Sequence, residues 1–245
     1  MITLAIPSYN RSHYVIESFL RVLDDYRITE ILIVDDCSLE SEYSKLESLI
    51  SSFKDHSAFS KIRLIRNEKN LGSFFNKKKC VEESKNEWVI LLDSDNSIDV
   101  SYLDSLTNKN NPNFLYTPSH AKCSSKLLDY RKYSNEIIDR NKYRRILNQE
   151  RNLSWDCILN TGNYFFNRNT YLECINKEEI LVDSFAADAF YLIYLWMKNI
   201  EDAKLEVVSG MEYDHRLHEQ SHWSMNSQSS DNFVLKIIED TIKWN

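Results

Sequence analysis

The sequence predicts an α/β fold with a mostly parallel central sheet, and three observations carry that expectation. Short apolar runs alternate with amphipathic stretches of helical period through the N-terminal part of the chain, the pattern of successive β-α-β units. One of those runs, Trp88-Val89-Ile90-Leu91-Leu92, is apolar at every position and too short for a helix, as a strand buried on both faces requires. Each run then ends in a polar loop, and in open α/β sheets ligands gather outside the carboxyl ends of the strands.

The elements follow in order. Ile2-Thr3-Leu4-Ala5-Ile6 reads as a first strand, stopped by Pro7 and followed by Ser8-Tyr9-Asn10-Arg11. A helix is expected from His13 to Tyr26, with Ser12 as its N-cap and Tyr14, Ile16, Phe19, Leu20 and Leu23 on the buried side. Glu30-Ile31-Leu32-Ile33-Val34 is the second strand and ends in Asp35-Asp36-Cys37-Ser38. A helix from Ser41 to Phe53, a strand from Lys61 to Arg66, the turn Asn70-Leu71-Gly72 and a helix to Ser84 lead to the Trp88 strand. Right-handed crossovers then bring four loops to one sheet edge: Pro7 to Arg11, Asp35 to Ser38, Asn70 to Gly72, and Asp93 to Asn96.

Beyond residue 100 the pattern loosens. A short helix from Val100 to Leu106 and a strand from Phe114 to Thr117 are expected, then a surface excursion from Pro118 to Ser154, rich in Lys, Arg, Tyr and Asn. An aromatic strand ending at Phe166, an apolar helix from Phe185 to Lys198, a strand from Leu205 to Val208 and an amphipathic helix from Asn232 to Trp244 complete the chain. No repeat or linker divides it, so residues 1–245 read as one domain.

Net charge is −7 with acids and bases mixed, which disfavours nucleic acid as a partner, because that binding rests on neutralised phosphates. A diphosphate approaching acidic loops needs a divalent cation between. Only three glycines occur, at 72, 162 and 210, which excludes GxGxxG and Walker-type phosphate loops. The five cysteines are scattered without a CxxC pair, as expected of reduced thiols. No apolar run is long enough to span a bilayer and no signal-peptide pattern opens the chain. A cytoplasmic protein is the expectation, with room for peripheral contact at the cytoplasmic face of a membrane.

Asp93-Ser94-Asp95 at the end of the Trp88 strand admits three readings from the residues alone. It is a solvated acidic turn, a hard-cation site whose metal also meets a substrate phosphate, or a phosphoryl-transfer site with Asp93 as nucleophile.

Taken together, the motifs resemble the family 2 glycosyltransferases of the GT-A, Rossmann-like fold. Ile6-Pro7-Ser8-Tyr9-Asn10-Arg11 is similar to that family's opening strand and loop, Val34-Asp35-Asp36-Cys37-Ser38 to its second, Asn70-Leu71-Gly72 to its NxG turn and Leu92-Asp93-Ser94-Asp95 to its DxD signature. Thr161-Gly162-Asn163 and Ala187-Asp188 resemble the acceptor half; Tyr213, Arg216, His218 and Ser221 resemble a closing motif. The resemblance covers nearly the whole chain except about 118 to 154.

It implies sugar transfer from a nucleotide-diphosphate donor, a UDP-sugar by preference, with inversion, onto a hydroxyl of a glycan or lipid-linked acceptor. Residues 1–108 would be the donor-binding half and 109–245 the acceptor half with its C-terminal helix. Pro7, Tyr9, Asp36, Asn70, Gly72, Asp93 and Ser94 would meet the nucleotide sugar, Tyr9 by stacking on the base and Asp36, with Asp35, by recognising base or ribose. Asp95 would bind Mn2+ or Mg2+ directly, with His218 completing the metal site or touching the diphosphate. Asp188 would be the general base, with Asp183 in reserve.

Three departures stand out. Ala187 replaces an expected acid, Asn96 replaces another, and Lys77-Lys78-Lys79-Cys80 stands where small residues are usual. Those lysines either meet phosphate or form a solvated face. The rival enzyme is a haloacid-dehalogenase-type phosphohydrolase using Asp93; the rival of another class is a catalytically silent sugar-nucleotide-binding subunit. The 118 to 154 excursion is available for acceptor contacts or for a homodimer.

Overall fold

The computed structural model describes residues 1–122, 129–149, 163–177, 188–216 and 222–244. Among them, β1 (Ile2–Ser8), β2 (Ile28–Asp35), β3 (Ile62–Arg66), β4 (Trp88–Leu91), β5 (Phe114–Lys122), β6 (Ile137–Ile138), β7 (Tyr164–Asn167) and β8 (Lys204–Asp214) form one sheet in the order β3-β2-β1-β4-β7-β5-β8-β6. Pairing is parallel from β3 through β2 and β1 to β4 and again between β5 and β8. It is antiparallel where β7 enters between β4 and β5, and where β6 adds to β8.

The helices are α1 (Ser12–Phe19), α2 (Glu40–Ser51), α3 (Ser73–Glu83), α4 (Val100–Ser105), α5 (Arg140–Gln149), α6 (Arg168–Asn176), α7 (Asp188–Asn199) and α8 (His222–Ile242). Successive strand side chains point to opposite faces, so the sheet divides the core in two. Ala5, Val34, Val89 and Leu91 pack on the side of α3, α5, α6, α7 and α8. Leu4, Ile33, Ile90 and Leu92 pack on the side of α1, α2 and α4. With helices on both sides, β4 has no solvent face, and this is why every one of its positions after Trp88 is a buried aliphatic residue.

Several elements differ from expectation. α1 stops at Phe19, and a 3-10 turn at Leu20–Val22 follows, leaving Leu20 52% exposed while Val22 and Leu23 are buried. Ser12 does not cap α1; it is the first helical residue, and its hydroxyl donates to Glu42 Oε2 at 2.7 Å. β5 passes through Pro118, because the β5–β8 register shifts between Pro118 and His120 and an irregularity tolerates a residue without an N–H. α8 begins ten residues earlier than its apolar pattern suggested. α6 was not expected; the Asn167 side chain caps it by accepting from the Asn169 and Thr170 amides.

The 118 to 154 segment is not a surface excursion throughout. Tyr130, Tyr143, Ile146 and Leu147 are buried, and α5 packs against α8. One of its basic residues is used internally: Arg140 donates to the Met197, Lys198 and Ile200 carbonyls at the end of α7, where a cation also complements the helix dipole.

Candidate active site

The expected convergence of four loops is present, and hydrogen bonds hold it. Asp36 N–H donates to the Ser8 carbonyl at 2.8 Å, carrying the β1–β2 pairing past the end of the sheet. Asn10, at φ 53°, donates its backbone N–H to Ser38 Oγ and accepts the Leu39 amide on its side chain. Asp35 accepts both the hydroxyl and the amide of Ser38. Pro7 pairs in register with Val34, beyond the last residue of β1 that pairs with β4, so its missing N–H breaks no bond on that side. Tyr9 is 47% exposed at the tip of this loop.

Asp36 is buried and its carboxylate is fully used: Oδ1 accepts from Asn67 Nδ2 and Leu71 N–H, and Oδ2 from Gly72 N–H, all within 2.9 Å. The Gly72 amide is shared with the Asn70 side chain at 2.9 Å. Gly72 sits at φ 81° and ψ 164°, a backbone state that a Cβ forbids, and it leads directly into α3. Asp36 therefore shapes the Asn70-Leu71-Gly72 turn rather than presenting a vacant carboxylate. Asn76 Nδ2 reaches back to the Val34 carbonyl at 3.1 Å and fixes the first turns of α3 against β2.

The acid pair at the end of β4 meets two cations. Arg11 Nη1 lies 2.5 Å from Asp95 Oδ2. Lys77 Nζ, from α3, lies 2.8 Å from Asp93 Oδ1 and 2.8 Å from Asp188 Oδ2. Asp188 opens α7 and its other oxygen accepts the Ala189 amide at 2.8 Å. The Asp93 backbone is held in turn, its N–H donating to Asn163 Oδ1 at 2.9 Å from a fully buried asparagine. The Asp93 carbonyl accepts Asn96 N–H at 2.9 Å, closing the turn around the buried Ser94.

Electrostatics at this centre follow from burial first. Burial pushes the Asp93 carboxyl up to about 6, Lys77 opposes the shift, and the Asp188 and Asp95 carboxylates add to it. Burial alone would lower the Lys77 ammonium, but Asp188 and Asp93 outweigh it and hold the lysine above its ordinary value, charged. With two cations against three carboxylates, the site is far less negative than its acid motif suggested.

The closing segment is anchored to the same turn. Ser97 and Asp214 exchange both backbone hydrogen bonds, and Arg216 N–H reaches Asn96 Oδ1 at 3.4 Å. The Arg216 guanidinium pairs with Glu17 and lies 4.3 Å over the Tyr14 ring. His218, Ser221, Thr161, Gly162, Asp183 and Ala187 lie outside the described residues. Among the described residues no three His, Cys, Asp or Glu side chains gather into a metal-holding group.

The structure brings Pro7, Tyr9, Asp36, Asn70, Gly72, Asp93, Ser94, Asp95 and Asp188 to one end of the sheet. What the sequence reading missed is Lys77. The sequence suggests a phosphate contact or a solvated face, whereas the side chain is only 12% exposed. Its spacing held the signal: Phe74, Lys77 and Val81 share one helical face, and a lysine on an apolar stripe needs buried acids.

A small cavity lies behind this lysine, lined by aromatic and aliphatic side chains including Phe74, Leu91, Tyr164 and Tyr171. Acids at the carboxyl end of a central strand, tied to the first residue of a helix from the second half, form a strand-end site of the kind that binds nucleotides in α/β folds. The fold is that of the GT-A glycosyltransferases: Staphylococcus aureus TarS 1-349 bound to UDP-GlcNAc matches 98% of this chain with a TM-score of 0.67 at 14% identity. GalNAc-T7 with UDP, GalNAc and Mn2+ matches 98% of the chain at 0.64 and 14% identity. The mannosyltransferase PcManGT from Pyrobaculum calidifontis, in complex with GDP-Man and Mn2+, matches 91% at 0.59 and 13% identity.

The sequence model described as glycosyl transferase family 2 matches residues 3–175, and the chain belongs to that family. An uncharacterized glycosyltransferase of Haemophilus influenzae is 30% identical over 129 residues, half of this chain. This chain spans 40% of that relative, 66% of the TarS segment, 59% of PcManGT and 48% of GalNAc-T7. Among the described residues no helix is long and apolar enough to cross a membrane.

Proposed function

We propose that this chain transfers a sugar, with inversion, from a nucleotide-diphosphate donor to a hydroxyl of a glycan or lipid-linked acceptor, with a UDP-sugar as the favoured donor. The observation that carries the reading is the Lys77 bridge. Asp93 and Asp188 each lie 2.8 Å from one ammonium, so an acid of the donor-side half (1–108) stands beside an acid of the acceptor-side half (109–245).

The donor set fits a hard divalent cation. Two carboxylates separated by one residue at a strand end already attract cations in the structure, and Mg2+ and Mn2+ sites commonly combine one or two carboxylates with substrate phosphates. Asp95 would hold Mn2+ or Mg2+ with His218 as the second expected ligand, and the bound ion would offset charge growing on the leaving diphosphate.

The remaining work falls to this chain's own side chains. Tyr9 offers an exposed ring for the base, and the turn at Asn70 and Gly72, fixed by Asp36, shapes the nucleotide's bed. Asp93 and Ser94 border the sugar-diphosphate. Asp188 accepts the proton of the attacking hydroxyl, on the face of the sugar opposite the departing diphosphate.

Calorimetric titration with UDP, GDP and CMP, with and without Mn2+, followed by donor hydrolysis on Asp95→Asn and Asp188→Asn, tests the reading. Metal-dependent binding of a nucleoside diphosphate, and turnover lost in both variants, is expected. Absence of metal-dependent nucleotide binding would sink it; binding without turnover on any acceptor would favour the silent subunit. A phosphoenzyme trapped at Asp93 would restore the phosphohydrolase, which family membership already argues against.

A further inference from the structure

Lys77 is a largely enclosed cation that sugar transfer, as set out above, does not use. It comes from α3, whose entry is the Asn70-Leu71-Gly72 turn held by Asp36, and it ends between Asp93 at the close of β4 and Asp188 at the start of α7. Its surroundings are otherwise apolar: Phe74, Leu91, Tyr164, Tyr171 and Leu192 line the cavity that it shares with Asp188. An isolated charge there would be costly, and a lysine placed between two carboxylates at 2.8 Å each has a fixed geometry rather than a mobile one. Phe74 packs on Tyr191 of α7 with ring centroids 5.5 Å apart, so α3 and α7 are braced against each other beside the ion pairs.

We propose that Lys77 is a positioning residue for the transfer reaction, a crossbeam that holds the Asp188 carboxylate in register with Asp93 and so with the bound donor. The inference rests on Asp188 being the base, and extends that reading to a residue on the opposite side of the site. The charge of Lys77 keeps two like-charged carboxylates close together, and its attachment to α3 links the turn that beds the nucleotide to the group that takes the proton. Without it, Asp188 and Asp93 repel each other and the base swings out of line with the sugar.

The test is steady-state kinetics of Lys77→Met and Lys77→Arg with a nucleotide-sugar donor that the wild type turns over, alongside UDP titration and thermal melting. Lys77→Met is expected to lower kcat at least 100-fold while donor KM and UDP affinity change less than threefold. Lys77→Arg, which can also bridge two carboxylates, is expected to recover at least tenfold of that loss. A purely structural lysine would not produce this split. If Lys77→Met does not fold, Lys77→Gln and the double variant Lys77→Gln/Asp188→Asn take its place, and the double variant is expected to be no slower than Asp188→Asn alone.

The proposal is overturned by a kcat within threefold of wild type. It is equally overturned by a loss of UDP affinity parallel to the loss of kcat, which would make Lys77 a phosphate ligand, or by losses that multiply in the double variant. An inactive wild type overturns the transferase reading itself, whereas an active wild type with an indifferent Lys77 overturns only this inference.

Discussion

Arg11 Nη1 stands 2.5 Å from Asp95 Oδ2, so the carboxylate at the end of the acid motif is already paired with a cation carried by the first loop. Any metal ion arriving at Asp95 competes with that guanidinium. Arg11→Met is therefore expected to tighten the binding of free Mn2+ by roughly fivefold, the worth of about 1 kcal/mol for a partly exposed pair. Asp95→Asn is expected to remove the metal-dependent part of UDP binding. Calorimetry with Mn2+ alone and with Mn2+ plus UDP reads both; equal Mn2+ affinity in wild type and Arg11→Met would show that the pair does not compete.

Asp188→Asn preserves the shape of the side chain but removes its basicity. Transfer is expected to slow by about 100- to 10,000-fold, the usual contribution of a positioned general base, with UDP affinity within a fewfold of wild type. Single-turnover transfer assays beside UDP titration make the check, and a variant that transfers at the wild-type rate removes Asp188 from the chemistry.

Asp36→Ala removes the buried acceptor of the Asn67 amide and the Leu71 N–H, and leaves the Gly72 N–H with the Asn70 side chain. A cost of about 3 kcal/mol in urea unfolding is expected, since stranded buried donors are paid for in full. Nucleotide affinity should fall with it, because the Asn70 to Gly72 turn loses its template. Undiminished stability would mean that water or Asn70 replaces the carboxylate.

Acid sensitivity has a specific source at the entry to β2. Arg27 forks onto Asp25 at 2.9 and 2.7 Å and reaches Asp104 at 2.7 Å. The Arg27 side-chain hydrogen bonds, against the opposing effect of burial, hold the Asp25 carboxyl below its ordinary range. A depressed carboxyl stabilises the fold fully above its unfolded value and loses that contribution as pH falls through its folded value. Arg27→Met is expected to cost about 1 kcal/mol at pH 7, and its gap from wild type should narrow as the pH drops below about 4. Melting curves across pH decide it; a gap that stays constant would assign the loss to packing.

The N-terminal half of the fold was legible because β1, β2 and β4 are buried at nearly every position and its loops carry polar residues at each strand end. β4 and the four converging loops needed no more than that. Past residue 100 the same reasoning weakened for identifiable causes. Pro118 looked like a strand terminus, but a register shift absorbs it. Tyr130 and Tyr143 are core residues in a segment whose lysines and arginines dominate its composition. α6 is short and polar at most positions, and its start depends on a single asparagine cap. At the site, the acids were legible by type and spacing, while their partners were not: Lys77 and Arg11 acquire their roles only when α3 and the first loop are brought to β4 in space.

β8 lies between β5 and β6 in the sheet, and its last residue, Asp214, pairs with Ser97 just beyond the acid turn. The stretch that matches the family's sequence model ends at residue 175, before β8 begins. A protein cut there would have an unsealed sheet next to β5 and an acid turn missing its brace. Shortened versions of this chain that end at residue 175 are therefore expected to lose the brace on the acid turn, and versions that run through Arg216 to keep it.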